Sequence, residues 1–319
     1  MLKEISIEII RKCPNNCLHC SSFSNKNCSE IIPYELFKKV VSGAKNLGLK
    51  TVCFSGGEPF LHPDIIEMIE YVYDIGLDSY VYSSGIYMDK DDIRGPIPQQ
   101  IFDRISNKVT KIIYNIEATQ KETYDIIMGT HGCFEFLKES IRRTTEAGVV
   151  AEGHFVPNRL NQNQIEETLQ FCIGLGVSKV SFLRLVNHGR ARENSDKLLL
   201  SNEQIADIKC KLVKILNENK YSIRIGVPLL GETEECHCEA ANGKLNIRYD
   251  GKVFPCEVFK NNGVEPLSDC EPDNIYEKSI EYIYKDSLYL KKARELVKSH
   301  VGCISCEQCV GPVSYTHLR

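Results

Sequence analysis

Three cysteines, Cys13, Cys17 and Cys20, fall within the eight residues CPNNCLHC. Thiolates at this spacing suit metal binding, yet a closed zinc or iron–sulfur site takes four protein ligands and this loop offers three. His19 lies between Leu18 and Cys20 and cannot easily face the same way as they do. Cys28 joins the set only if the loop folds back. A three-thiolate clip instead suits a cubane cluster that leaves one iron open to an exogenous ligand. A second set lies near the other end of the chain. It is Cys238-x12-Gly251-x4-Cys256, followed by Cys303-x2-Cys306-x2-Cys309. The turn at Gly251 brings two distant thiols together and the distal pair supplies two more, enough for a closed site holding zinc or an iron–sulfur cluster. Cys236 competes with Cys238 for the first position.

These sets account for an otherwise odd composition. The chain has 319 residues, of which 42% are hydrophobic and 26% charged, an ordinary globular balance. A net charge of −4 and a pI of about 6.1 leave no basic footprint for nucleic acid. The sequence has no apolar run long enough to cross a membrane and no signal-peptide pattern, so a cytoplasmic protein without a membrane partner is expected. In that reducing compartment its 15 cysteines call for catalysis or metal binding rather than disulfides. Eleven of them cluster in residues 13–28, 236–270 and 303–309; Cys53, Cys133, Cys172 and Cys210 stand alone and are assigned to packing.

The elements that must position these groups alternate between strand and helix. Strands are expected at 5–10, 51–55, 79–83, 111–116, 149–155 and 179–185. Helices are expected at 33–47, 64–73, 135–147 and 164–175, and an irregular stretch lies between the third and fourth strands. Six strand–helix units in a row call for a parallel sheet with right-handed crossovers, open or closed into a barrel. Ser201 and Gln204 read as a capping box ahead of a helix over 205–216. After about residue 220 the pattern changes to a hairpin, LNIRY-DG-KVFP, then polar loops and one helix near 288–299.

The second strand ends in Ser55-Gly56-Gly57-Glu58-Pro59. Paired glycines let backbone approach a ligand, their amides could hold a carboxylate, and Glu58 could accept from an ammonium. CPNNCLHC followed by SGGEP resembles the radical S-adenosylmethionine (radical SAM) enzymes, in their cluster motif CxxxCxxC and their methionine-binding glycine motif. The resemblance implies a partial (β/α)6 TIM-like barrel, an α/β fold, with a [4Fe-4S] cluster on Cys13, Cys17 and Cys20. Its open iron is chelated by S-adenosylmethionine, which is cleaved to a 5′-deoxyadenosyl radical that abstracts a substrate hydrogen. It also implies cofactor contacts from Ser55, Gly56, Gly57 and Glu58, and from Ser83 and Ser84 in YSSG. Further contacts are implied from Asn115 and Glu117 in YNIEA, and from Arg184 and Leu185 in FLRLVNHGRA.

The C-terminal cysteines resemble the auxiliary-cluster extensions called SPASM, or twitch in the shorter form, although Pro312 and the early Cys309 depart from the full pattern. This implies one auxiliary [4Fe-4S] cluster whose four ligands come from Cys238, Cys256, Cys303, Cys306 and Cys309. The chain is thus expected to comprise a barrel over 1–220 and a small cysteine-rich domain with a β-hairpin over 221–312. Residues 313–319 read as a non-native tail. The activity implied is maturation of a ribosomally made peptide by cross-linking or oxidation. A flavodoxin or ferredoxin would supply the electron. With no leader-binding domain expected ahead of the first strand, a separate protein could hold a leader. The alternatives are a peptide epimerase with Cys236 as thiol donor, a sulfatase-maturase-like protein modifier, a twitch-type small-molecule dehydrogenase, and a non-catalytic metal-binding regulator.

Overall fold

The structure, a computed structural model, describes residues 1–226, 229, 238–261, 267 and 269–299. Its centre is one sheet of nine strands among the described residues, ordered β11-β10-β1-β2-β3-β6-β7-β8-β9. These are β1 (Glu4–Ile10), β2 (Thr51–Gly56), β3 (Asp78–Ser83), β6 (Lys111–Asn115), β7 (Ala151–Phe155), β8 (Lys179–Phe182), β9 (Ile223–Ile225), β10 (Lys244–Ile247) and β11 (Val253–Phe254). All pairings are parallel except β10 with β11. The six expected units are present as an open barrel of mixed α/β class, and β9 adds a seventh parallel strand beyond them. Between the strands run α1 (Tyr34–Asn46), α2 (Ile65–Asp74), α3 (Gln99–Ile105), α4 (Lys121–Met128), α5 (Phe134–Glu146) and α6 (Ile165–Gly174). Two one-turn helices, α7 (Arg190–Glu193) and α8 (Ser195–Leu198), precede α9 (Asn202–Asn217). The capping box of Ser201 and Gln204 at the start of α9 is formed on both sides. No helix among the described residues is long and apolar enough to cross a membrane.

Strand β1 shows why the sheet curls as it does. Its sequence EISIEII alternates, and every residue is buried. Ile5, Ile7 and Ile9 join the apolar core with Phe37 of α1 and Phe54 of β2, whose rings stack at 5.5 Å. Glu4, Ser6 and Glu8 face the lumen, where each carboxylate meets a lysine from the C-terminal part of the chain. Lys244 Nζ lies 2.7 Å from Glu4 and 3.7 Å from Glu257. Lys260 Nζ pairs with Glu8 and donates to Ser22 Oγ at 2.8 Å. The barrel therefore has an apolar mantle under its helices and a polar lumen.

Several elements differ from expectation. The stretch after β3 is not irregular: β4 (Ile86–Met88) and β5 (Arg94–Pro96) form an antiparallel hairpin that leads into α3. Three-residue strands, one of them Arg-Gly-Pro, are too short for periodicity to register. Helix α4 and the helix Ile280–Asp286 were also missed, whereas the helix Leu288–Ser299 lies where expected. The LNIRY-DG-KVFP hairpin forms, but its first strand, β10, adds in parallel to β1 and so extends the barrel's sheet.

Lys244 is fully buried between two carboxylates, so removing its charge leaves both without their cation. Lys244→Ala is expected to cost about 3–5 kcal/mol of stability, because breaking a buried pair from one side strands the partner's charge. Urea unfolding would measure this; a loss below about 1 kcal/mol would contradict the pairing.

Candidate active site

The loop of residues 11–33 carries the three N-terminal thiols from the end of β1 back to α1. Isolated bridges tie it, Ile10 to Ile31 and Lys12 to Asn25, as do hydrogen bonds from Arg11 N–H to Glu30 O (2.9 Å) and Cys13 N–H to Asn25 O (3.1 Å). Its middle is gripped from two other sides. The last carbonyls of α4, on Ile127 and Met128, accept from the N–H groups of Leu18 (2.8 Å) and Asn16 (3.2 Å). Residues 189–194 grip the opposite side: Arg190 and Asn194 donate to the carbonyls of Cys17, Cys20, Ser24 and Leu18.

The glycine motif after β2 is built against this loop. Gly57 N–H donates to Ile10 O at 2.6 Å and Glu58 N–H to Lys12 O at 2.9 Å. A Cβ at Gly56 would stand 2.1 Å from Ile10 O, and one at Gly57 would stand 2.0 Å from Lys12 O. No side chain fits there, which explains the paired glycines. Of the paired glycine amides expected to hold a ligand carboxylate, that of Gly57 is thus engaged by the loop that carries the cysteines, as is the neighbouring amide of Glu58.

Glu58 departs from expectation for a related reason. Its fully buried carboxylate accepts from Ser83 Oγ (2.8 Å), Ser84 N–H (2.8 Å), Ser84 Oγ (2.6 Å) and Phe60 N–H (3.4 Å). It locks the end of β3 to the end of β2, and Ser83 and Ser84 are its partners. Burial raises its pKa to about 7, against the lowering effect of the Ser84 and Ser83 hydrogen bonds. Glu117 is also fully buried, and burial raises it to about 8. Its contact with His19 Nε2, at 3.5 Å, is geometrically an ion pair. Burial and nearby Arg190 lower His19 to about 4, so at neutral pH the two meet as neutral groups.

One open cavity, roughly 1380 Å³ counting its solvent-facing part, gathers most of the expected site. Cys13, Cys17 and Cys20 line it together with Ser55, Gly56, Gly57, Ser83, Ser84, Asn115, Arg184 and Leu185. Glu58 and Glu117 are not among its lining residues, and neither is Cys28, whose thiol turns to Phe23 O at 3.9 Å. Sequence reasoning missed Met128, whose sulfur is 3.8 Å from Cys17 Sγ, and the lining residues Ser24, Glu257 and Lys260. Helix α4 was legible in part, since Tyr124, Ile127 and Met128 keep helical spacing before Gly129.

The C-terminal set is described only in part. Cys256 is buried and Cys238 half-buried, and the hairpin brings them near enough that Cys238 adds to the upward shift of the Cys256 thiol, which burial dominates, to about 12. Cys236, Cys303, Cys306, Cys309 and residues 313–319 lie outside the described residues. Of the four solitary cysteines, Cys53, Cys133 and Cys172 are buried as expected, but Cys210 is exposed.

Two measurements follow from this geometry. Gly57→Ala should cost about 1–3 kcal/mol or prevent folding, since the new methyl overlaps a backbone carbonyl; an unchanged urea midpoint would refute the close approach. Glu58 has a folded pKa above the ordinary carboxylate value of about 4.3, so its ionisation disfavours the folded state. That cost is absent below about pH 4 and complete above about pH 7. The apoprotein should therefore gain on the order of 2 kcal/mol relative to Glu58→Gln as pH falls from about 8 to 5.5. A parent stability that stays level or falls relative to Glu58→Gln as pH drops over that range would contradict the assignment.

Comparison with known proteins agrees with this construction. The chain is 23% identical over 311 residues to the PqqA peptide cyclase of Bradyrhizobium diazoefficiens, covering 95% of this chain and 78% of that protein. It is 24% identical over 277 residues to a probable GTP 3′,8-cyclase of Saccharolobus islandicus, covering 83% and 86%. Its fold matches Streptococcus suis SuiB bound to S-adenosylmethionine with a TM-score of 0.71 at 16% identity, over 91% of this chain and 67% of that one. SuiB has also been solved bound to precursor peptide SuiA. The Radical SAM superfamily model matches residues 7–172, from within β1 into α6, and the chain belongs to that superfamily.

Proposed function

We propose that this radical SAM enzyme modifies a peptide, with Cys13, Cys17 and Cys20 as ligands of a [4Fe-4S] cluster and S-adenosylmethionine beside it in the cavity. The observation that carries the reading is the shared cavity wall of three thiols and the ends of β2, β3, β6 and β8. Among the described residues, no three Cys, His, Asp or Glu side chains group around one point as a single metal ion requires. A three-thiol wall without such a centre suits a larger group, and buried atoms without hydrogen-bond partners, His19 Nδ1 and Ser24 Oγ, suit a polar ligand.

When bound, the cluster and S-adenosylmethionine supply a 5′-deoxyadenosyl radical for hydrogen abstraction. The chain's residues bind, orient and shield. Ser55, Gly56, Gly57, Ser83 and Ser84 form the wall at the ends of β2 and β3. Asn115 contributes a polar contact from β6, and Arg184 and Leu185 contribute from the segment after β8. Glu58 and Glu117 act at one remove, Glu58 by fixing Ser83 and Ser84 and Glu117 by backing His19. The auxiliary region begins after β9, which belongs to the barrel's sheet, and not at residue 221; Cys238 and Cys256 are two ligands of a second [4Fe-4S] cluster, with Cys303, Cys306 and Cys309 as sources of the others.

The peptide substrate is supported by the peptide cyclase relative and by SuiB with its bound peptide. Cross-linking or oxidation is the reaction, with an electron from a flavodoxin or ferredoxin. A small-molecule outcome is the second reading, supported by the GTP cyclase relative.

Anaerobically reconstituted protein given dithionite and S-adenosylmethionine should release methionine and 5′-deoxyadenosine. Cys17→Ala should abolish this release, and an active variant would refute the site. Cys256→Ala should lower bound iron while cofactor cleavage continues. Incubation with short peptides encoded beside the native gene should change a peptide's mass; a change in GTP instead would favour the second reading.

A further inference from the structure

The loop that bears the three thiols has a dedicated clamp. Arg190 reaches it with three donors: Nε to Cys17 O at 2.8 Å, Nη2 to Ser24 O at 2.8 Å, and its own backbone N–H to Cys20 O at 3.0 Å. One guanidinium thereby ties together carbonyls seven positions apart along the loop, with Cys20 between them. Asn194 Nδ2 adds a bond to Leu18 O at 3.2 Å and anchors itself on Arg190 O at 2.9 Å. The preceding residue must be glycine, because a Cβ on Gly189 would lie 2.5 Å from Cys20 O and 2.7 Å from Ser21 Cα. Arg190 is half-buried, and among the described residues no carboxylate lies within ion-pair distance of it.

We infer that Arg190 is a positioning residue for the thiolate loop, its planar fork tying Cys17 O to Ser24 O so that the loop between them keeps its thiols in the ligating arrangement before iron arrives. This rests on Cys13, Cys17 and Cys20 being the cluster ligands, as proposed above. The chemistry favours arginine over lysine at this place. Two backbone carbonyls approached by two nitrogens of one rigid plane fix distance and direction together, whereas an ammonium is a point charge on a flexible stem. The loop lacks helix or sheet and has few hydrogen bonds of its own, Cys20 N–H to Cys17 O (3.2 Å) among them, so contacts from outside help to set the separation of the sulfurs. Groups that orient metal ligands in this way commonly alter metal affinity 10–100-fold when removed.

The test uses reconstituted full-length protein carrying Arg190→Gln, Arg190→Lys or Cys17→Ala. The readouts are apoprotein thermal melts, release of iron to a chelator, and the electron paramagnetic resonance signal of the reduced cluster that shifts on adding S-adenosylmethionine. Both Arg190 variants should keep a cooperative apoprotein melt near that of the parent, yet lose the S-adenosylmethionine-sensitive signal and its iron about tenfold faster. If Arg190→Lys retains iron like the parent, charge rather than the fork matters and the inference is overturned. Retention by Arg190→Gln overturns it as well, and so does loss of the cooperative melt in both variants, which would mark a general structural role. Survival of the signal in Cys17→Ala would instead refute the ligand assignment on which the inference rests.

Discussion

The loop of residues 11–33 has no helix and only isolated bridges of its own, so many of its backbone groups must find partners elsewhere. Much of the site can be derived from that requirement. The glycine pair after β2 exists because Ile10 and Lys12 present carbonyls where any side chain would collide. The end of α4 offers carbonyls to Asn16 and Leu18, and the segment after β8 offers donors to Cys17, Leu18, Cys20 and Ser24. Three distant stretches of sequence thus converge on one irregular loop, chiefly through main-chain hydrogen bonds. Main-chain contacts hold shape without consuming side chains, which leaves the thiols facing the cavity.

The lumen follows a different rule. Its charges are buried, and burial of ions is favourable only when partners are close and the remaining polar atoms are satisfied. Lys244 and Lys260 meet carboxylates on β1, which attaches the described C-terminal segment to the first barrel strand by directional contacts. Such pairs specify one docking arrangement more than they add stability. The cavity wall formed by Glu257, Val258 and Lys260 is therefore held in fixed relation to Cys13, Cys17 and Cys20.

Much of this was legible in the sequence. The alternation of strand and helix gave the parallel sheet, because long periodic segments with glycine at their ends leave few other folds. The three-thiol spacing and SGGEP pointed to one site, and the cavity gathers both. The roles of individual side chains were harder to read. Glu58 looked like a ligand for a cofactor, yet its oxygens are taken by Ser83, Ser84 and Phe60, donors whose proximity depends on the register of β3 against β2. Arg184 drew attention while Arg190, six residues later, makes the contacts to the loop. A motif such as FLRLVNHGRA marks a place in the fold, but that Arg184 faces the cavity while Arg190 grips the loop depends on the path of the chain after β8. Strands as short as β4 and β5 escaped because tertiary contact, not local periodicity, holds them.

The parallel pairing of β1 with β10 aligns Glu4 with Lys244 and Ile7 with Ile247. Nearly the whole described chain separates these partners, so the pairing is among the most non-local in the molecule. Closing such a contact is entropically slow, and folds dominated by distant pairings form more slowly than locally connected ones. While the chain is being made, β1 can pair with β2 early, but its other edge has no partner until residues 244–247 have emerged. For that interval Glu4 and Glu8 occupy an unpaired strand edge, and their charges would oppose mispairing there. The same carboxylates that anchor the finished lumen can thus act earlier, as protection for a strand still waiting for its neighbour.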